Sequence, residues 1–167
     1  MLRIHEFSEV QICIQVIENP GIILLAALKQ VKPVAEKQGV EIITETPSEL
    51  PKMKLGANQL LTALNNLLEN APEAMPGGRI LTLKAKHVVY NLLIVVEDKG
   101  WGMDREKPAS AYDPFVTSKT EGAGLGLMLA HQVVMNHHGE IRLSSEVNQG
   151  TVVTIKLPVE PASDFEE

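Results

Sequence analysis

Between Asn58 and Met75, seven apolar residues recur at helical spacing: Leu60, Leu61, Leu64, Leu67, Leu68, Ala71 and Met75. At about 100° per residue they fall on one stripe, and a helix with a single apolar stripe must lay it against an apolar surface. The chain that follows supplies one. Ile80–Val88 and Leu92–Glu97 read as an antiparallel hairpin turning near Tyr90-Asn91, after Pro76-Gly77-Gly78 stops the helix. Glu140–Ser145 and Thr151–Leu157 read as two closing strands joined by a turn at Asn148-Gln149-Gly150.

The remaining segments fit the same plan. Ile12–Ile17 suggests a strand, and Asn19-Pro20 is an N-cap followed by proline at the first helical position. The apolar run Ile22–Val34 predicts a helix that is kinked at Pro33 and ends before Gly39. Val40–Thr44 and Lys52–Leu55 read as strands, and Leu125–His138 as a largely apolar, mostly buried helix. This order predicts an α/β (α+β) fold: a two-layer sandwich of a mixed, mainly antiparallel sheet covered on one face by helices. Residues 1–159 form one domain on this reading, and 160–167 an acidic tail.

Bulk properties exclude several function classes. With 44% hydrophobic and 22% charged residues the 167-residue chain is globular rather than disordered. A net charge of −6 argues against nucleic acid or an anionic membrane as a partner. No apolar run approaches the roughly 20 residues that span a bilayer, and charges interrupt the start too early for a signal peptide. Cys13 has no cysteine partner within the chain, which fits a reducing, cytoplasmic setting. His5, His87, His131, His137 and His138 show no metal-ligand spacing and read as strand, helix-surface or helix-end residues.

Chemistry concentrates in four segments that stand in order within about sixty residues: Asn66-Leu67-Leu68-Glu69-Asn70, Asp98-Lys99-Gly100-Trp101-Gly102, Asp113–Lys119 and Glu121–Leu127. Asn66 and Asn70 are four apart and share a helix face away from the leucine stripe, where their amide oxygens suit a hard divalent ion bridging phosphates or simply a solvated surface. Asp98 ends a strand beside two glycines. A carboxylate there accepts a hydrogen bond from an exocyclic amine such as that of adenine, although Asp-x-Gly is also ordinary turn punctuation. Gly122, Gly124 and Gly126 precede a helix, where bare backbone and a positive dipole end can meet a phosphate. The pattern lacks the Lys-Ser/Thr of the phosphate-binding loop and does not follow a strand as a dinucleotide fingerprint does. Lys119 offers a point charge to a phosphate. The stretch Gly100–Gly126 has little apolar periodicity and reads as a long functional loop.

Together these residues resemble the catalytic and ATP-binding domain of two-component sensor histidine kinases, within the gyrase, chaperone and mismatch-repair ATPase superfamily. The resemblance runs from about Asn19 to Pro158. Leu64–Ala71 looks like the family's N box, Asp98–Met103 like its first glycine box, Asp113–Lys119 like its F box and Gly122–Leu127 like its second glycine box. The family implies the Bergerat ATP-binding fold, with ATP and Mg²⁺ as cofactors. It implies that Asn70 holds Mg²⁺ with Asn66 assisting, and that Asp98 binds the adenine amino group. Gly100, Gly102, Met103, Gly122, Gly124, Leu125 and Gly126 would then line the nucleotide pocket. Residues 104–121 would be the ATP lid, with Lys119 near the phosphates. In hydrolysing relatives a glutamate stands four residues before the metal-binding asparagine; here that position is Asn66, and an amide is no general base at neutral pH. Phosphoryl transfer to another group is therefore implied over hydrolysis.

The acceptor is missing from the motifs. His5-Glu6 is followed by Val10 where the acceptor motif has proline, so the implied partner is a separate histidine-phosphoacceptor (dimerisation) domain, with a response regulator acting indirectly and no direct membrane contact. Pro72, Ala57, Pro108, Ala109-Ser110-Ala111 and Val116 depart from the usual pattern. They leave open a non-catalytic nucleotide-binding or partner-docking module, and a protein-serine kinase of the anti-sigma-factor type shares the same boxes.

Overall fold

The computed structural model describes residues 15–73, 79–100, 121–146 and 149–159, with backbone only for 71–73 and 121–126. These form, in chain order, β1 (Val16–Glu18), α1 (Pro20–Lys37), β2 (Glu41–Glu45), β3 (Met53–Leu55), α2 (Ala57–Glu73), β4 (Ile80–Val88), β5 (Asn91–Asp98), α3 (Glu121–Asn136), β6 (Glu140–Glu146) and β7 (Gly150–Pro158). Five strands make one sheet in the order β2-β4-β5-β7-β6, parallel only between β2 and β4. β1 and β3 pair separately as a short antiparallel ribbon.

Alternation along the strands explains the two layers. Leu81 and Leu83 on β4, Leu92, Ile94 and Val96 on β5, and Val153, Ile155 and Leu157 on β7 are buried, while their sequence neighbours turn to the open face. The three helices cover the buried face in a parallel order. α1 packs against β2, α2 against β5, and α3 against β6 and β7, with α2 between the other two. From α2, Leu60, Leu64, Leu67 and Leu68 enter the core as the spacing predicts, and Leu61 stays half-buried.

The local signals work as residue chemistry dictates. Asn19 accepts the Gly21 N–H at 2.9 Å through its side-chain oxygen, with Pro20 at the first helical position. α1 runs through Pro33 to Lys37 and so ends before Gly39, as expected. It ends where Gly39 takes φ 69°, so that Val40 N–H reaches Ala35 O and Gly39 N–H reaches Glu36 O. α3 ends the same way with His138 at φ 57° in the glycine-favouring position. The β4–β5 turn places Val89 at φ 54°, one residue before the expected Tyr90-Asn91. Cys13, His5, Met75, Pro76-Gly77-Gly78, Asn148 and the tail 160–167 lie outside the described residues, as does the expected strand before residue 15.

Candidate functional site

A row of polar side chains interrupts the apolar face of the sheet at one end. Register places Leu81 of β4, Asp98 of β5, Thr151 of β7 and Ser145 of β6 directly across from one another. Leu81 is fully buried under the helices, so its cross-strand neighbours present their side chains to the same helix-covered side. Ser145 is buried, and Asp98 and Thr151 are half-buried. Polar groups in such a layer need partners, and these supply one another's.

Asp98 Oδ1 accepts the Gly100 N–H at 2.9 Å and the Thr151 N–H at 3.3 Å. The first bond closes a tight Asx turn at the end of β5; the second ties that turn to β7. Outside, Arg79 donates to Lys99 O at 2.9 Å, and Lys99 bonds Glu97 at 2.7 Å, which holds the Glu97 carboxyl below its ordinary range. The carboxylate of Asp98 is thus oriented from both sides. β7 comes this close because residue 150 is glycine: a Cβ there would stand 2.0 Å from Asp98 O, and its φ is +100°.

Asn66 and Asn70 stand one turn apart on α2, half-buried, as the spacing predicts. Asn65 beside them donates to Gln30 of α1. The helix carrying the two amides is fixed at its start by a residue the motifs do not mark. Gly56 O accepts the Leu60 N–H at 2.9 Å as the helix begins, and the Gly56 N–H donates to His137 Nε2 at 2.9 Å. His137 Nδ1 in turn donates to Val133 O at 2.7 Å, which makes the ring neutral with its proton on Nδ1. His137 therefore pins the end of α3 to the start of α2. Burial, followed in weight by the Val133 bond opposing it and by His138, pushes its pKa below the ordinary value of 6.5.

A lowered folded-state pKa means the unfolded chain takes up the proton first. The contribution is full above pH 6.5 and is lost as pH falls from there through the lowered folded value. Urea unfolding across that window should show stability falling with pH, with a smaller slope in His137→Gln. The same variant loses at least one buried partner and should be about 1–3 kcal/mol less stable at pH 7.5. Equal slopes in both proteins would remove this role.

The glycine cluster corrects the sequence expectation. α3 begins at Glu121, four residues before Leu125, so Gly122, Gly124 and Gly126 lie inside its first two turns and do not precede it. The helix runs through these glycines although each is a poorer helix former than alanine by about 1 kcal/mol. α2 likewise continues through Pro72 to Glu73. Gly102, Met103, Lys119 and residues 104–120 lie outside the described residues. Among the described residues no group of three His, Cys, Asp or Glu side chains is placed to hold a metal, and no helix is long and apolar enough to cross a membrane.

Sequence reasoning passed over Thr151, Ser145, Gly150 and His137 as site-forming residues. Gly150-Thr151 at a turn exit was a legible signal, whereas Ser145 and His137 depend on pairings that only the fold reveals.

Residues 56–161 match the family described as histidine kinase-, DNA gyrase B-, and HSP90-like ATPase. Sporulation kinase E of Bacillus subtilis is 39% identical over 127 residues, which cover 75% of this chain and 17% of that protein. The chain spans 17% to 27% of the length of the curated relatives considered. Among solved structures, the catalytic domain of histidine kinase ThkA superposes with a TM-score of 0.79 at 22% identity, covering 87% of this chain and 96% of that one. Full-length ShkA in complex with AMPPNP superposes with a TM-score of 0.81 at 24% identity, covering 93% of this chain and 34% of that one. With the family match spanning most of the chain and both neighbours sharing its two-layer fold, this protein belongs to the histidine kinase-, DNA gyrase B- and HSP90-like ATPases.

Proposed function

We propose that this chain is the ATP-binding catalytic domain of a sensor histidine kinase, which passes the γ-phosphoryl group of ATP to a histidine on a separate dimerisation domain. The observation that carries the reading is the Asp98 carboxylate, clamped by the Gly100 and Thr151 N–H groups on the side of the sheet that α2 covers. Oriented in this way it accepts the adenine amine. The names of relatives such as Sporulation kinase E and the AMPPNP complex of ShkA support a nucleotide-binding kinase domain.

Asn70 holds Mg²⁺ in this reading, with Asn66 assisting. The donor set fits: two amides one turn apart supply hard oxygen ligands, and Mg²⁺ commonly takes one or two protein oxygens together with phosphates and water. When bound, the ion neutralises phosphate charge. The chain's own part is to position the nucleotide and to keep a general base away from it, since Asn66 stands where hydrolysing relatives have glutamate. The phosphoacceptor histidine of a dimerisation domain and, indirectly, a response regulator are the partners in this reading.

Calorimetric titration of ATP and GTP, each with and without Mg²⁺, tests the site. ATP-selective, Mg²⁺-sensitive binding is expected, followed by transfer to an added phosphoacceptor domain as acid-labile phosphate. A folded protein that binds no nucleotide overturns the reading, and acid-stable phosphoserine on a partner replaces it with the serine-kinase alternative. Asn70→Ala should lower affinity for ATP in Mg²⁺ by about tenfold, to the Mg²⁺-free level, while leaving Mg²⁺-free binding unchanged. An unaltered Mg²⁺ titration would show that Asn70 is not a ligand.

A further inference from the structure

The end of the sheet away from Asp98 carries an exposed surface that the nucleotide site does not use. On the face that no helix covers, register sets Lys86 of β4, Leu93 of β5 and Lys156 of β7 directly across from one another. Val88, Asn91 and Pro158 form the next row toward the β4–β5 turn. Leu93 is half-buried, while both lysines, Val88 and Pro158 are exposed. Arg142 holds Glu140 at 2.8 Å and Lys84 stands 3.6 Å from Glu45. Among the described residues, neither Lys86 nor Lys156 has an ion-pair partner. A depression of about 230 Å³ opens beside Leu93, walled by Thr154, Glu140, Arg142 and Lys156.

The turn at this end is both strained and apolar. Val89, the first of its two loop residues, has φ 54°, a region that glycine or asparagine normally takes and that is an outlier for a β-branched side chain. The Val159 N–H holds the loop by donating to Tyr90 O at 2.7 Å. Val89 is nevertheless 72% exposed and Tyr90 65%, so neither contributes to the core. A valine that strains the backbone and buries little of itself within the chain points to a contact outside the chain.

We infer that this surface docks a partner protein through an amphipathic helix whose apolar stripe is edged by carboxylates. Lys86 and Lys156 are two strand spacings apart, about 10 Å. Carboxylates at positions i and i+7 of a helix are about 10.5 Å apart, with i+3 and i+4 between them over Leu93 and its depression. Val88, Val89 and Tyr90 border that strip on the turn side. An anionic membrane fits less well. The chain's net charge of −6 sets the rest of its surface against an extended negative plane, while a helix about 10 Å wide meets only this patch. Asp98 lies at the other end of β5, about 23 Å from Asn91 at 3.3 Å per residue, so a helix here leaves the proposed nucleotide site open. The inference goes beyond the nucleotide reading and does not depend on it.

The test is nuclear magnetic resonance titration of the isotope-labelled chain with a synthetic alanine-based helix of about 20 residues. One peptide carries Glu at i and i+7 with Leu at i+3 and i+4; its counterpart carries Lys for both Glu. The Glu helix should shift the amide signals of Lys86, Val88, Tyr90, Leu93 and Lys156 and leave Asp98 unmoved. It should bind about tenfold more weakly when salt rises from about 20 mM to about 300 mM. The Lys helix should not bind. Lys86→Glu combined with Lys156→Glu should weaken the Glu helix by about tenfold or more and admit the Lys helix, while ATP affinity stays as in the wild type. Val89→Asn relieves the strained turn, so it should raise the urea midpoint and still lower affinity for the Glu helix several-fold.

No shift with the Glu helix at millimolar concentration, equal binding of both helices, or undiminished affinity in the folded double variant overturns the proposal. Should the double variant not fold, Val89→Asn decides: lower stability with full affinity means that Val89 serves the turn alone, and the proposal falls. Sedimentation of the chain without peptide, and with vesicles of phosphatidylserine and phosphatidylcholine, covers the other occupants. Self-association or vesicle binding that the double variant abolishes assigns the surface to a second copy or to a membrane, and overturns the partner helix likewise.

Discussion

Asp98→Asn is expected to lower ATP affinity by about 100-fold or more while the chain keeps its fold. The substitution is isosteric, and an amide oxygen can go on accepting from Gly100 and Thr151 at the positions Oδ1 now holds. The side chain's other polar atom becomes a donor. Opposite an exocyclic amine this replaces a charge-assisted bond with two facing donors, a change worth about 3 kcal/mol, or roughly two powers of ten. The sequence alone recommends alanine, because Asp98 ends a strand and looks free of the core. The structure makes alanine the poorer choice. It would strip the acceptor from two backbone N–H groups and cost about 1–3 kcal/mol of stability whatever the site binds. Calorimetry with ATP, set beside a urea unfolding curve, separates the two effects. Unchanged ATP affinity in a stably folded Asp98→Asn protein would falsify the adenine assignment.

The residues that the sequence made legible share one property: their chemistry is local. The leucine stripe of α2, the Asn19-Pro20 start, the Gly39 stop and the β4–β5 hairpin each depend on neighbours a few positions away, and each stands close to where the spacing puts it. Asn66, Asn70 and Asp98 are legible because helical period and strand ends place them without reference to the rest of the fold. What escaped is the pairing between distant segments. His137 looks like one of five unremarkable histidines until α3 is docked on α2 and its Nε2 meets Gly56, 81 residues away. The parallel pairing of β2 with β4, and the separate ribbon of β1 with β3, are register choices that alternation alone does not determine. The start of α3 falls earlier than the periodicity suggests: the stretch to Gly126 lacks an apolar stripe and is rich in glycine, yet the backbone is helical from Glu121. Ser145 and Thr151 became site residues only when β6 and β7 were aligned with β5.

Gly150→Ala should have the largest effect on the fold and should affect the site with it. The added Cβ would meet Asp98 O at 2.0 Å, Asp98 C at 2.9 Å and Lys99 Cα at 3.0 Å, all backbone, and alanine would also have to hold φ +100°. No rotamer relieves a backbone clash, so β7 must move away from β5 at this end. Strain and displacement together cost about 3–5 kcal/mol. Movement in that direction lengthens the Thr151 N–H bond to Asp98, which is already 3.3 Å, and releases the carboxylate. Gly139→Ala provides the control. Its Cβ would stand 2.4 Å from Lys156 O and 2.9 Å from Leu157 Cδ2, a comparable clash at the far end of the same strand. Both variants should therefore lose stability in urea unfolding, but only Gly150→Ala should also lose ATP affinity below its unfolding transition. If both lose affinity equally, nucleotide binding follows global stability and the Gly150 contact has no special part in the site. If neither is destabilised, the close approach of β7 to Asp98 does not constrain the fold, and the orientation of the carboxylate must come from elsewhere.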